Sequence, residues 1–269
     1  MAVARFTMAV LAAWVALCTG CGTLPDGRRW GGDATILPGW RQIGRSAGQA
    51  AIDPQTWVPL AAAALLQIDN ADHELSDWAR EHTPVFGSPE DAQDAQSWTG
   101  QALDDSLYAT MLLPPSGDTL GAWTVNKVRG AAVEFSAVAA NNLAIDVLKD
   151  AAGRTRPDGT NDRSLPSNHA ARSSVDVALA ARNLDATPMP SVARWTAKTG
   201  LYGMGAASAW SRVEAGAHYP SDVLAGWAAG HFWGAFVHDA FLWRGEPPAC
   251  MILLVPEPGG VRLAWQMSF

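Results

Sequence analysis

The sequence has little cysteine, no cluster of lysine and arginine, no metal-ligand pattern, and no apolar run long enough to span a bilayer comfortably. Each shortage removes a class of protein. The cysteines are Cys18, Cys21 and Cys250, and if the first two are a discarded and an acylated residue, no intrachain disulfide is possible. A formal charge of −7 with no local basic patch argues against a nucleic-acid surface. His231 and His238 fall two turns apart on one predicted helix, and two ligands at that spacing do not close a metal site, so they read as packing or interface residues. His73 and His82 have no evident partner, and no group of carboxylates suits Mg²⁺ or Zn²⁺. Neither internal repeats nor low-complexity runs occur.

What is present describes a compact globular chain. It has 269 residues, 48% hydrophobic and 17% charged, enough for one large core or two small ones. Residues 1–20 read as a signal peptide: Arg5 is the sole charge, and the apolar run 6–17 is short. The run ends in Leu17-Cys18-Thr19-Gly20-Cys21, which resembles a lipobox with cleavage before Cys21, although Cys18 stands where leucine is usual. An ordinary secretory signal and an uncleaved anchor are the alternatives. The lipobox reading makes the protein an exported lipoprotein, periplasmic or on the cell surface, held to a bacterial membrane through lipidated Cys21. Residues 21–38 read as a tether that Trp30 and Trp40 could dock.

Beyond the tether, a helical domain is expected over 39–245 and a β-hairpin over 246–269. Helices are expected at 40–51, 54–68, 71–82 and 89–113. Ser88-Pro89-Glu90-Asp91 supplies a cap, a first-turn proline and first-turn acids for the last of these. A long helix over 119–151 is marked by Val125, Val128, Ala132, Phe135, Ala139, Leu143 and Val147 at helical spacing. Three more follow at 166–183, 190–210 and 220–242. The fold class is therefore all-α, a helical bundle with a short C-terminal hairpin.

Three segments carry chemistry. Ser211-Arg212 leads to His218 and, one helical turn on, Asp222, with Pro220 suited to start a helix that places Asp222 near the His218 ring. A histidine–aspartate pair at a helix start also serves as a plain capping interaction. Lys149 is followed after six residues by Arg156-Pro157, and Pro166-Ser167-Asn168-His169 comes next. Lys149 could equally be a cation that complements a helix C-terminus. A helix starting at Pro166 would point free N–H groups past Ser167 and Asn168, a natural anion site. Arg154 and Arg163 read as solvated.

Together these segments resemble the K-x6-R-P, P-S-G-H and S-R-x5-H-x3-D motifs of the type 2 phosphatidic acid phosphatase (PAP2) superfamily, which also holds class A acid phosphatases and vanadium haloperoxidases. The resemblance covers about 125–241 and implies a bundle in which the motifs meet at one end. It implies that Lys149, Arg156 and Arg212, with Ser167 and the Asn168 N–H, bind the phosphoryl oxygens. It implies that His218 attacks phosphorus, oriented by Asp222, and that His169 protonates the leaving group and then activates water. No cofactor and no metal are implied. Asn168 replaces the motif glycine, and the link between the first two motifs is short, which predicts an altered pocket mouth. The helices are interrupted by Asp, Glu, Asn and Arg, which favours a water-soluble bundle tethered at its N-terminus.

The reading is thus a metal-independent phosphatase acting on phosphomonoesters, with either a lipid phosphate or a small soluble phosphoester as partner. Thirteen tryptophans and an anchored location favour contact with lipid, though tryptophan is also core filler. The alternatives are a vanadium-dependent haloperoxidase and a non-catalytic lipoprotein that binds an anion or a partner.

Overall fold

The computed structural model describes residues 21–24, 26–242, 250–257 and 260–267; the expected signal peptide lies outside them. Eight α-helices run α1 (Trp40–Ile52), α2 (Pro54–Leu65), α3 (Ala71–His82), α4 (Pro89–Leu112), α5 (Leu120–Ala152), α6 (Asn168–Asp185), α7 (Ser191–Glu214) and α8 (Pro220–Val237) among the described residues. A short π-helical turn, His238–Leu242, follows α8. Strands β1 (Cys250–Glu257) and β2 (Gly260–Met267) pair antiparallel, with Cys250 opposite Met267. The fold is the all-α bundle expected from the sequence.

The bundle is built around α6, which is flanked by α4, α5, α7 and α8. Alanine is its commonest residue, and thirteen of its eighteen residues are buried, so it has no solvent face to speak of. The tightest contact is with α8, and it depends on two glycines. A Cβ at Gly226 would lie 2.3 Å from the Ser167 carbonyl oxygen, and one at Gly230 would lie 2.1 Å from that of Ala171. Both distances are impossible for a side-chain carbon, so glycine is what lets the two backbones meet. Ser174 Oγ seals the seam by donating to the Trp227 carbonyl at 2.7 Å. Through this seam the second and third motifs are brought side by side.

Local signals explain most element ends. Asp53 caps α2 and Ser88 caps α4, each followed by proline at the first position. Thr119 caps α5, and Gly153 ends it in the left-handed conformation (φ 54°). Helix α6 begins at Asn168 with Ser167 as its cap, two residues later than the start expected at Pro166.

Helix α5 departs from the usual logic of an amphipathic helix. Its buried residues include Lys127, Glu134, Asn141 and Lys149, while Val128, Phe135, Leu143 and Val147 are exposed. The apolar spacing that marks the helix in the sequence therefore lies on the outside of the bundle. Glu134 is wholly buried and accepts from Asn183 Nδ2 at 3.1 Å; burial pushes its carboxyl up to about 8. Lys127 donates to the carbonyls of Met111 and Pro114 at 2.7 and 2.8 Å beneath the Trp30 ring, and burial lowers its ammonium to about 7.

The segment before α1 is laid against the bundle. Trp30 is fully buried over Gly130, and its backbone N–H donates to the Pro115 carbonyl at 2.8 Å. Trp40, the other residue expected to dock, is 87% exposed and does not.

Candidate active site

The three motifs converge where α5 ends, α6 begins and α7 hands over to α8. Lys149 lies in the last turn of α5, buried, with its Nζ donating to the Arg163 carbonyl at 2.6 Å. An ammonium has three protons, so this bond orients it and leaves donors over. Burial and the nearby Arg156 and Arg163 charges lower it to about 8. Arg156 lies in the loop between α5 and α6, and its Nε is buried without a hydrogen-bond partner.

Arg212 sits in the last turn of α7, 4% exposed. One end of its guanidinium donates to Gln93 Oε1 on α4 at 2.6 Å, and its Nε has no partner. Burial, then the Arg156 charge, lowers it to about 10, so it remains a cation at neutral pH. Glu214, at the end of the same helix, takes the N–H groups of Val85 and Phe86 at 3.0 Å and the Trp210 indole at 2.5 Å. These bonds tie the α3–α4 loop to the segment that carries Arg212.

His218 is 1% exposed. Its Nδ1 is 2.8 Å from the Ser164 carbonyl oxygen. A carbonyl oxygen only accepts, so Nδ1 carries the proton and Nε2 presents a lone pair. That Nε2 is buried with no partner, as is Nδ1 of His169. Burial, followed by the charges of Arg212, His218, Arg156 and Lys149, lowers His169 to about 4. His218 is lowered too, chiefly by burial and also by Lys149 and Arg156, against the pull of Asp222. Four buried nitrogens, on Arg156, His169, Arg212 and His218, thus lack a hydrogen-bond partner among the described residues and feel one another's charges. Two guanidinium N–H donors beside a histidine lone pair are the chemistry of a site for an electrophilic anion.

Two sequence expectations are corrected. Asp222 was expected to accept the His218 N–H, but its Oδ2 stands 3.9 Å from Nδ1, and the Ser164 carbonyl is the acceptor. Asp222 instead receives the Ser164 hydroxyl at 2.5 Å, the Tyr219 N–H at 3.0 Å and Arg154 at 2.8 Å. Burial raises its carboxyl, but His218, Ser164 and Arg154 outweigh that and hold it below the ordinary value. Arg154, read from the sequence as solvated, is a clamp. Its guanidinium bridges Asp222 to Asp72 of α3 at 2.7 Å and stacks on Tyr219, 4.1 Å from the ring centre. Asp72 also accepts the N–H and hydroxyl of Ser221 at 2.8 and 2.5 Å. Nothing in the spacing of Asp72, Gln93 or Ser164 announces them; each reaches the site from another element. Arg163 is exposed, as expected, and it pairs with Asp146 and Asp150.

Ser167 is buried at the start of α6, where its hydroxyl faces the Ala170 N–H at 3.5 Å and its own N–H donates to the Asp222 carbonyl at 2.9 Å. Asn168, the first residue of α6, is exposed. Beside this cluster lies a cleft of about 320 Å³, lined by Asp77, Arg80, Glu81, Asp158, Gly216 and neighbours. Asp158 and Gly216 are each two residues along the chain from a member of the cluster, Arg156 and His218. No group of three or more His, Cys, Asp or Glu suited to a metal ion occurs among the described residues.

The model of the PAP2 superfamily matches residues 131–246, the span that holds all three motifs. No curated protein matches the chain. Among solved structures, it is similar to a transmembrane PAP2-type phosphatidylglycerolphosphate phosphatase from Bacillus subtilis, with a TM-score of 0.51 and 17% identity over 73% of this chain and 94% of that one. At that identity the likeness is one of fold.

Proposed function

We propose that the protein is a phosphatase that hydrolyses phosphomonoesters through a phosphohistidine, and the observation that carries this reading is the buried, unpartnered Nε2 lone pair of His218 among cations. Lys149, Arg156 and Arg212 hold the phosphoryl oxygens, with the N–H groups at the start of α6 beside them. Phosphoryl transfer needs charge compensation and in-line positioning more than bond-making help from the protein, so three cations serve without a metal ion. His218 Nε2 forms a bond to phosphorus as the ester P–O bond breaks, and His169 gives a proton to the departing alkoxide. Water then attacks the phosphohistidine as His169 takes its proton, which releases phosphate and restores neutral His218. His169 starts this cycle protonated only if the bound phosphate dianion lifts it from about 4. The phosphate therefore loads its own acid.

The acids beside the site bear on the leaving group. Asp77, Glu81, Asp158 and Glu214 against the single Arg80 in the neighbouring cleft disfavour an alcohol that carries its own anionic group. At its location the protein is an exported lipoprotein, acylated at Cys21, which is exposed. The test is a substrate panel on the mature protein: nitrophenyl, alkyl, aminoalkyl and lipid phosphates, each with EDTA and with vanadate. Hydrolysis that survives EDTA and is blocked by vanadate far below the phosphate concentration that inhibits is expected. Hydrolysis that stops in EDTA and returns with a divalent metal defeats the cationic-cage mechanism.

A further inference from the structure

We propose that the outer face of α5 lies on the lipid bilayer that holds the N-terminus; this rests on the membrane-anchored reading. The helix is 33 residues long, about 50 Å at 1.5 Å per residue. Its outward positions Leu120, Val128, Leu143 and Val147 are 74, 64, 69 and 60% exposed, while its charged Lys127, Glu134 and Lys149 face inward. Between the exposed Arg129 and Asp146, the sixteen residues 130–145 hold one charged side chain, the buried Glu134. The charge-free outer stretch is therefore roughly 24 Å long. In water such a stripe is unfavourable, because every exposed apolar square ångström costs about 25 cal/mol relative to burial.

The position of the chain's N-terminal side identifies what covers it. The Gly22 N–H donates to the Gly117 carbonyl at 3.1 Å, three residues before α5 begins. Exposed Cys21 is therefore held near the N-terminal end of α5, the helix that carries the stripe. An acyl group on Cys21 would enter hydrocarbon at that end, and an uncleaved apolar run 6–17 would bring hydrocarbon to the same place. The helix then continues along the leaflet as an interfacial element, with its apolar face sunk to the acyl boundary and the polar face kept for the bundle. Lys149 and the site it belongs to stand at the far end of this contact.

The test places one fluorescent label at a time on the acylated, full mature chain carrying Cys250→Ser, at Val128→Cys, Leu143→Cys or, on exposed α3, Glu74→Cys. The protein is bound to phosphatidylcholine vesicles with brominated acyl chains. Quenching of about twofold or more at 128 and 143, and none at 74, is expected for a face seated at the acyl boundary. In a second arm, Val128→Glu with Leu143→Glu in the Cys21→Ser chain should lower vesicle binding several-fold and leave nitrophenyl phosphate hydrolysis unchanged. Protein that floats with vesicles yet shows no quenching at 128 or 143 overturns the proposal, as does crosslinking at those positions between two copies. Wild-type protein without lipid on Cys21 that also fails to float removes the anchored reading and this one with it.

Discussion

His218 and Ser164 are joined by a 2.8 Å hydrogen bond from the ring Nδ1 to a backbone carbonyl, and that bond fixes the tautomer that Asp222, 3.9 Å away, does not. A backbone acceptor cannot be removed by changing a side chain. Asp222→Asn should therefore keep the His218 tautomer while losing the negative charge that supports it and that pairs with Arg154. The acid limb of kcat/KM reports the free enzyme and reflects His218, which must be neutral to attack. Its pKa, already below the usual 6.5, should fall further in the variant, which moves the acid limb to lower pH. An unchanged limb with total loss of activity would instead make Asp222 the orienting group.

His169 and His218 make different demands on the substrate. His218→Ala should abolish hydrolysis of every ester and leave no trappable phosphoenzyme. His169→Ala should still phosphorylate from nitrophenyl phosphate, whose leaving group needs little help, and should lose about 10²–10⁴-fold on an alkyl phosphate. Phosphoenzyme should accumulate in that variant, because the same residue activates the second-step water. Rapid-quench measurement of both variants on both substrates decides it; phosphoenzyme in His218→Ala but not in His169→Ala reverses the roles.

Arg154 neutralises two buried carboxylates, Asp72 and Asp222, 2% and 0% exposed at the side chain. Arg154→Ala strands both, and breaking a buried pair of this kind costs about 3–5 kcal/mol. Arg154→Lys should recover part of the stability but not the two-sided geometry, because a point charge cannot fork between two acceptors. Urea denaturation beside kcat and KM separates the two effects. A variant of native stability and full activity would leave Arg154 with no positioning role.

Glu134 has its folded pKa raised to about 8 from 4.5, so the native state holds a proton that the unfolded chain releases. With more protons bound when folded, stability falls as pH rises from about 4.5 to 8. Glu134→Gln keeps an oxygen for Asn183 and removes the ionisation, so the variant should gain over wild type most at pH 8–9 and least near pH 5. For a domain of this size each kcal/mol moves Tm by about 2–4 °C. A gain independent of pH would mean that Glu134 is not the titrating group.

The sequence by itself determined the helices and the identities of the reactive groups. Caps such as Ser88 and Thr119, prolines at 54, 89 and 220, and Gly153 act over one turn, so they are legible without a fold. The motif residues Lys149, Arg156, His169, Arg212, His218 and Asp222 were likewise legible, because their order along the chain is itself a signature. Tertiary structure decided the rest. Helical spacing in α5 reveals that Val128, Phe135 and Leu143 share a face, but not whether that face meets core or surroundings, and the polar residues opposite them proved to be the buried ones. Arg154 read as solvated because local sequence shows a polar loop; it becomes a clamp only when α3 and α8 bring Asp72 and Asp222 to it from either side. The proton on His218 was assigned to a carboxylate one helical turn away, yet a carbonyl 54 residues back accepts it. Short-range rules fix what a residue can do within a turn of chain. Which charge is paired, which face is hidden and which nitrogen keeps its lone pair depend on groups that only the packed bundle brings together.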